Sequence, residues 1–141
     1  MTAALFLLDT NVLSEPMRSK PNPNIMTRLK AHQQRLATST LVWHELLFGC
    51  YRLPESRKRA AIEAYLFEVV QPNVTFFAYE KRAAQWHAKE RARLEKIGRT
   101  PSFTDGQIAA TAHAHACVLV TVNTSDFEFF EELNVVNWAL P

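Results

Sequence analysis

Residues 4–9 read Ala-Leu-Phe-Leu-Leu-Asp, five apolar residues in a row that end abruptly in a carboxylate. A run that is apolar at every position is typical of a strand covered on both faces, as in a parallel sheet. In open sheets of this kind, ligands bind beyond the carboxyl ends of the strands. The stretch therefore predicts a central strand and places Asp9 at the edge where ligands bind.

Strand and helix patterns alternate along the rest of the chain. Further strand patterns occupy residues 36–38, 74–77 and 118–122, and a short edge strand is expected at residues 135–136. Apolar residues at helical spacing predict helices after Pro23 and over residues 40–53, 57–70, 78–97, 101–116 and 127–133. This order predicts an α/β three-layer sandwich, with a central, mainly parallel sheet of four to five strands flanked by helices.

Length and composition narrow the class of protein. A chain of 141 residues fits one domain, here expected over residues 1–141, and its 48% apolar and 21% charged residues exclude disordered and collagen-like classes. The sequence contains no apolar run long enough to span a bilayer, and its apolar start lacks the flanks of a secretion signal. Cys50 and Cys117 are too few for a disulfide framework. We therefore expect a cytoplasmic protein without a membrane partner.

Aspartate is rare in this sequence, and its positions are informative. The fourteen acidic residues include only three aspartates, Asp9, Asp105 and Asp126, two of which lie beside predicted strand ends. Glu45 borders the apolar stripe of the helix predicted over residues 40–53. Each also has a purely structural explanation, because an aspartate can begin a helix and a glutamate can reach solvent from an apolar face.

Four carboxylates in one cleft would repel one another, and a divalent cation would remove that repulsion. Oxygen ligands of this kind suit Mg²⁺, for which Mn²⁺ can substitute, and both ions also bind phosphate oxygens. Such an ion can activate water toward a phosphodiester. We therefore predict Asp9, Glu45, Asp105 and Asp126 as the metal-binding and catalytic residues of a site for phosphoryl chemistry.

Four segments carry a resemblance to a known family: LFLLDTNVLSE (5–15), STLVWHELLFG (39–49), PSFTDGQIAATA (101–112) and LVTVNTSDFEFFEELNVVNW (119–138). Together they resemble the PIN-domain ribonucleases, most closely the VapC-type toxins of bacterial toxin–antitoxin pairs. The resemblance implies Mg²⁺- or Mn²⁺-dependent cleavage of RNA, in this family usually a structured RNA such as tRNA. It also implies a small cognate antitoxin as partner, a homodimer, and Asn11, Thr121 and Asn123 in support of the four carboxylates.

Two positions depart from the family pattern. Glu132 stands where relatives often have a glycine before the last strand, so a different turn is expected there. Val122 stands where many relatives carry a basic residue, which weakens any expectation of an RNA contact at that point. None of the four acidic positions is altered.

A basic segment offers a second candidate for nucleic-acid contact. Residues 81–99 contain seven Lys or Arg and two Glu, and a stripe along the predicted helix consists of Arg82, Lys89, Arg93 and Lys96. A phosphate backbone could lie along such a stripe, although a solvated helix face explains it equally well. A zinc site at His113, His115 and Cys117 is disfavoured, because no second ligand pair with zinc-site spacing is present.

The sequence leaves two other functions open. A phosphatase with Asp9 as covalent nucleophile is disfavoured because Asn11 stands where the haloacid-dehalogenase pattern has a second aspartate. A non-catalytic module that binds RNA or a protein partner is disfavoured by the intact acidic residues. The three glycines provide no phosphate-cradling loop, which argues against Rossmann and P-loop enzymes.

Overall fold

A computed structural model describes residues 3–141 and contains a five-stranded sheet in which every neighbouring pair is parallel. The spatial order of the strands is β3-β2-β1-β4-β5. Their bounds are β1 Phe6–Leu8, β2 Leu36–Ser39, β3 Thr75–Phe77, β4 Val118–Val120 and β5 Val135–Val136. The predicted α/β sandwich with a parallel central sheet is confirmed.

The first strand lies at the centre of the sheet. Phe6 aligns with Leu36 on one side and with Val118 on the other, while Leu7 and Leu8 are fully buried. A strand paired on both edges and covered on both faces needs apolar residues at every position, which is the pattern that residues 4–8 show. The strand order reverses direction beside β1, so the carboxyl end of β1 lies at a point where such sheets bind ligands.

Seven α-helical segments flank and connect the strands within the described residues. They are α1 Thr10–Leu13, α2 Pro23–Ala31, α3 Thr40–Tyr51, α4 Arg57–Ala64, α5 Gln71–Asn73, α6 Lys81–Lys96 and α7 Phe103–Ala114. No helix within residues 3–141 combines the length and the apolar character needed to cross a bilayer.

Side-chain caps explain why several helices begin where they do. Ser39, Ser56 and Ser102 each accept a hydrogen bond from the backbone N–H three residues later, and the Asn22 side chain caps α2 in a similar way. These bonds satisfy amide groups that a helix start otherwise leaves unpaired. Beyond the C-terminal end of α6, Gly98 has a φ of 69°, the left-handed conformation expected of a residue that terminates a helix.

The structure corrects two predicted elements. Residues 127–133 do not form a helix; a short 3₁₀ turn at Thr124–Asp126 precedes them, and they run as an irregular segment to β5. The helix predicted to stop before Pro72 instead continues through a π-helical stretch, Tyr65–Val70, into α5. Pro72 has no N–H to donate to the preceding turn, and the helix ends one residue later, at Asn73.

The turn at Glu132 keeps the backbone conformation that a glycine would favour. Glu132 has a φ of 58°, in the left-handed region. Glycine, which the family pattern often has at this position, adopts this conformation without steric cost. A non-glycine residue in this region carries a conformational cost of about 1 kcal/mol, which the surrounding contacts must offset.

A close approach between α6 and α7 depends on Gly106. A Cβ atom at this position would meet the imidazole of His87, which is buried and linked through Nδ1 to the Tyr79 hydroxyl at 2.9 Å. Since the ring has a fixed partner and little exposed surface, it has little freedom to move aside. Gly106 therefore sets the spacing between α6 and the helix that carries Asp105.

We expect Gly106→Ala to lower the free energy of unfolding by about 1–3 kcal/mol, the usual cost of overpacking a filled interior. Helix propensity alone would favour alanine by about 1 kcal/mol, so the sign of the change separates the two effects. Urea denaturation of both proteins measures it. The double variant His87→Ala, Gly106→Ala should lose less free energy of unfolding than the sum of the two single variants, because the clash is then absent. Additive losses would contradict this contact.

Candidate active site

Asp9 lies at the carboxyl end of β1, where the chain turns into α1. Its side chain is only 7% exposed. Oδ1 accepts a hydrogen bond from the backbone N–H of Thr10 at 2.8 Å, so Asp9 also caps α1, as its structural explanation requires. Oδ2 accepts a hydrogen bond from the Thr121 hydroxyl at 2.9 Å. The carboxylate is thus fixed from two sides.

A polar network links the ends of β1 and β4 around Asp9. The Asn11 amide nitrogen lies 3.4 Å from Asp9 Oδ2 and donates to Thr121 Oγ1 at 3.3 Å, while its carbonyl accepts from the N–H of Val122 at 3.1 Å. Asn123 joins through its backbone N–H, which donates to Thr121 Oγ1 at 3.1 Å. Asn11 and Thr121 thus contact the site through their side chains, whereas Asn123 contributes a main-chain bond.

Glu45 extends from α3 toward the same place and is exposed. Its Oε2 accepts a hydrogen bond from the Thr10 hydroxyl at 2.6 Å. Because the side chain reaches solvent, Glu45 does not need the buried counter-charge that a position beside an apolar stripe suggests. Thr10 orients it and, as the residue after Asp9, connects the two acidic groups.

Asp105 and Asp126 are the other two members of the acidic set. Asp105 is half-buried in the first turn of α7, and its N–H donates to Ser102 Oγ at 3.1 Å. Asp126 is exposed at the end of the 3₁₀ turn Thr124–Asp126, so it does not begin a helix. Both residues line one cleft with a volume of about 430 Å³.

The carboxylates are close enough to affect each other's ionisation. Burial raises the pKa of Asp9, the hydrogen bonds from Thr10 and Thr121 lower it in part, and the charges of Asp105 and Glu45 raise it further. Burial likewise raises the pKa of Asp105, with a lowering contribution from Ser102 and further raising contributions from Asp126 and Glu45. Within residues 3–141 no lysine or arginine forms an ion pair with any of these four carboxylates. The site therefore has a local excess of negative charge.

The donor set fits a hydrated hard cation. No three His, Cys, Asp or Glu side chains in the part of the chain that the structure describes are arranged to hold a metal ion by themselves. Mg²⁺ does not require such a cage, because it usually keeps several waters and binds through one or two carboxylates together with substrate phosphates. Oxygen donors without a basic partner match that preference, and they are a poor match for zinc, which favours nitrogen and sulfur ligands.

The basic stripe on α6 is only partly available to a ligand. Arg82, Lys89 and Lys96 are exposed. Arg93 instead pairs with Glu90 on its own helix, with Nε 2.8 Å from Oε2 and Nη2 3.0 Å from Oε1. Its Nη2 also donates to the carbonyl of Phe129 at 2.7 Å. Arg93 therefore holds a protein segment, in contrast to the phosphate contact predicted for it.

Glu90 is the partner that makes this arrangement possible. It is 7% exposed, and its Oε1 also accepts the backbone N–H of Glu131 at 2.8 Å. The bond from Arg93 lowers the pKa of Glu90 more than burial raises it, so the pair stays ionised. Residues 129 and 131 are thus tied to α6, just beyond Asp126. The sequence contained a signal for this ion pair, because Glu90 and Arg93 are three residues apart on one helix. The interpretation of Arg93 as part of a basic stripe overlooked that signal.

The disfavoured zinc site has an ordinary structural explanation. The His113 ring stacks on Trp86 with centroids 4.4 Å apart, and the His115 ring stacks on Phe77 at 3.8 Å. Burial raises the pKa of the Cys117 thiol to about 11, so the thiolate that zinc requires is disfavoured. These side chains are part of the packing between α7 and its neighbours.

The comparisons with known proteins agree with this fold. A family model described as "PIN domain" matches residues 6–132. A protein from Shigella flexneri named tRNA(fMet)-specific endonuclease VapC is 29% identical over 136 residues, which cover 95% of this chain and 98% of that protein. Toxin FitB from Neisseria gonorrhoeae is also 29% identical, with 94% and 97% covered.

Solved structures show the same likeness. The crystal structure of FitAcB from Neisseria gonorrhoeae matches with a TM-score of 0.85 at 28% identity, covering 95% of this chain and 98% of that one. It is one of several FitAB and VapBC toxin–antitoxin complexes with this fold.

Removing one of the crowded charges should stabilise the metal-free protein. Because folding raises the pKa of Asp105, its ionised form opposes folding, and this penalty develops as the pH rises from the usual 3.8 through the folded-state pKa. In EDTA at pH 7 we expect Asp105→Asn to raise the free energy of unfolding by about 0.5–2 kcal/mol, measured by urea denaturation.

The gain should disappear below about pH 3, where the aspartate is protonated in both states. Glu95→Gln removes an exposed carboxylate from α6 and serves as the matched control, with an expected change within about 0.5 kcal/mol. A less stable Asp105→Asn protein at neutral pH would show that the charge is not under strain in the folded state.

Proposed function

This chain belongs to the PIN-domain family, and from that premise we propose that it is a metal-dependent endoribonuclease acting as the toxin of a toxin–antitoxin pair. The relatives named tRNA(fMet)-specific endonuclease VapC and Toxin FitB support the proposal over nearly the whole chain. One observation supports it most directly: Asp9, Glu45, Asp105 and Asp126 come from four distant parts of the sequence, and their charges affect one another's ionisation. Asp105 and Glu45 raise the pKa of Asp9, and Asp126 and Glu45 raise the pKa of Asp105.

In this proposal Mg²⁺, or Mn²⁺ in its place, would be held among Asp9, Glu45, Asp105 and Asp126, with water completing its ligands. When bound, the ion supplies Lewis-acid activation of water and neutralises charge on the phosphodiester. Asp9 contributes a fixed ligand, since the bonds from Thr10 and Thr121 leave it little freedom. Such preorganisation reduces the reorganisation that the site must undergo during the reaction.

The chain's other residues orient the site and handle protons. Thr10 holds Glu45 through Oε2, which leaves Oε1 available to accept a proton from attacking water. Asn11 and Thr121 fix the orientation of Asp9. The expected products of water attack are a 5′-phosphate and a 3′-hydroxyl end.

The biological setting forms part of the same proposal. We propose that the toxin is a homodimer, with one PIN-like domain over residues 1–141 in each copy, and that it is cytoplasmic. A cognate antitoxin inhibits it, and its substrate is a structured RNA such as tRNA. The named tRNA activity of one relative and the toxin–antitoxin complexes among the structural neighbours support these features.

Asp9→Asn should abolish metal-dependent RNA cleavage. We expect the rate to fall by about 100-fold or more, because the change removes the most fixed of the four ligands. Thr121→Val, which keeps the shape but removes the hydroxyl that orients Asp9, should lose about 10- to 100-fold. Cleavage of a tRNA pool with and without EDTA, resolved by mapping RNA ends, provides the measurement.

Glu95→Gln is again the matched control, because it removes an exposed carboxylate on α6 and should keep the parent rate. If Asp9→Asn binds RNA normally and the parent protein shows no cleavage with either metal, the chain is a binding module. If cleavage of a phosphomonoester depends on Asp9 and RNA ends do not appear, the chain is a phosphatase.

Expression of the chain alone should arrest growth, and co-expression with the product of the adjacent upstream reading frame should relieve the arrest. The reason is that an antitoxin acts by binding its toxin. Viable counts after induction measure both effects. The Asp9→Asn protein should not arrest growth, and arrest that persists with this variant would contradict a nuclease origin.

A further inference from the structure

Exposed phenylalanines occur close in sequence to the predicted catalytic carboxylates. Four phenylalanines are at least about one-third exposed, and three of them lie within three residues of a predicted catalytic carboxylate: Phe48 near Glu45, Phe103 near Asp105 and Phe129 near Asp126. Each of these three has an arginine guanidinium over its ring, from Arg52, Arg91 and Arg99 respectively. The fourth, Phe67, lies in the π-helical stretch, has no predicted catalytic carboxylate within three residues, and packs edge-on against Trp43.

One of these pairs lies in the acidic cleft itself. Arg99 and Phe129 line the same cleft of about 430 Å³ as Asp105 and Asp126, together with Ser102 and Ser125. The Arg99 guanidinium carbon is 4.8 Å from the centroid of the Phe129 ring, and the ring is 41% exposed. The cleft thus combines carboxylates, hydroxyls, a cation and an accessible aromatic surface.

The backbone under Phe129 is held in place. Its carbonyl accepts the 2.7 Å bond from Arg93, and two residues later the Glu131 N–H donates to Glu90 at 2.8 Å. The neighbouring Phe130 is 7% exposed and stacks on Trp86, with centroids 5.7 Å apart. An irregular segment anchored at three successive residues can present an exposed ring in a fixed position.

This combination suits an unpaired nucleotide. Unpaired bases stack on aromatic rings and guanidinium planes, and a guanidinium also binds phosphate, whereas a base inside a duplex cannot expose its face. A phosphate backbone in an acidic cleft also needs a cation, and Arg99, which lines the cleft, provides one.

We propose that Phe129 and Arg99 bind a single unpaired nucleotide next to the bond that is cut, with its base stacked on the Phe129–Arg99 pair. This inference rests on the proposed function, because it names two residues that contact RNA bound at the same site. Double-stranded RNA contributes phosphate contacts without this stacking.

The test uses the full chain carrying Asp9→Asn, so that RNA is not cut during the measurement. The probe is a single-stranded RNA hexamer with a central 2-aminopurine, whose fluorescence is quenched on stacking, and the reference is the same hexamer annealed to its complement. We expect Phe129→Leu to weaken hexamer binding by about 5- to 100-fold and to remove the quenching.

Three further variants exclude a merely structural effect. Phe129→Tyr keeps the ring and should restore binding and quenching to within about twofold of the parent. Arg99→Lys keeps the charge but loses the planar group, so it should weaken binding of the single strand more than binding of the duplex. Phe67→Leu makes the same substitution at a ring of similar exposure, 37% against 41%, and should leave the affinity within about twofold.

Equal losses in Phe129→Leu and Phe67→Leu, or unchanged quenching in Phe129→Leu, would overturn the nucleotide site. It would also be overturned if Phe129→Leu kept its RNA affinity and altered the mass measured by light scattering, because the ring would then be a protein contact. Cleavage by the parent chain is assayed alongside. If the unchanged chain cleaves RNA but Phe129→Leu does not weaken RNA binding, only the nucleotide site is refuted. If the unchanged chain does not cleave RNA but Phe129→Leu weakens RNA binding, only the nuclease function is refuted.

Discussion

The buried carboxylate of Asp9 is the constraint around which the rest of the site is arranged. A negative charge at the end of a central strand loses most of its hydration, and only hydrogen bonds or a cation can compensate for that loss. The protein provides the N–H of Thr10 and the hydroxyl of Thr121, and yet the pKa of Asp9 remains raised. The hydrogen bonds therefore compensate only in part for the lost hydration, and a positive ion near Asp9 would lower its pKa further.

Parallel topology explains why these groups meet. The ends of β1 and β4 are neighbours in the sheet, so Asp9 and Thr121 lie side by side although 112 residues separate them. The helices α3 and α7 each begin with a serine cap, and the cap fixes where the first turn starts. Asp105 follows its capping serine by three residues, and its side chain therefore emerges in the first turn of α7.

A second set of contacts joins the site to the outer layer. Gly106 allows α6 to approach α7, and α6 in turn holds the irregular segment after Asp126 through Glu90 and Arg93. The ion pair between these two residues is not an isolated surface pair, because Glu90 is buried and has a third bond to the main chain. Helix α6 carries none of the four carboxylates, but it holds the segment that follows Asp126.

The sequence by itself determined the strand and helix order, because burial on two faces and helical spacing leave local patterns, and the four acidic residues stand in short motifs that could be recognised one by one. It did not determine the partner of Arg93, since the basic stripe looked the same whether it faced phosphate or Glu90. It also suggested a helix over residues 127–133, whose apolar residues instead pack against α6 and the core. Those features depend on contacts between residues far apart in the chain, and only the tertiary structure brings the competing partners within reach.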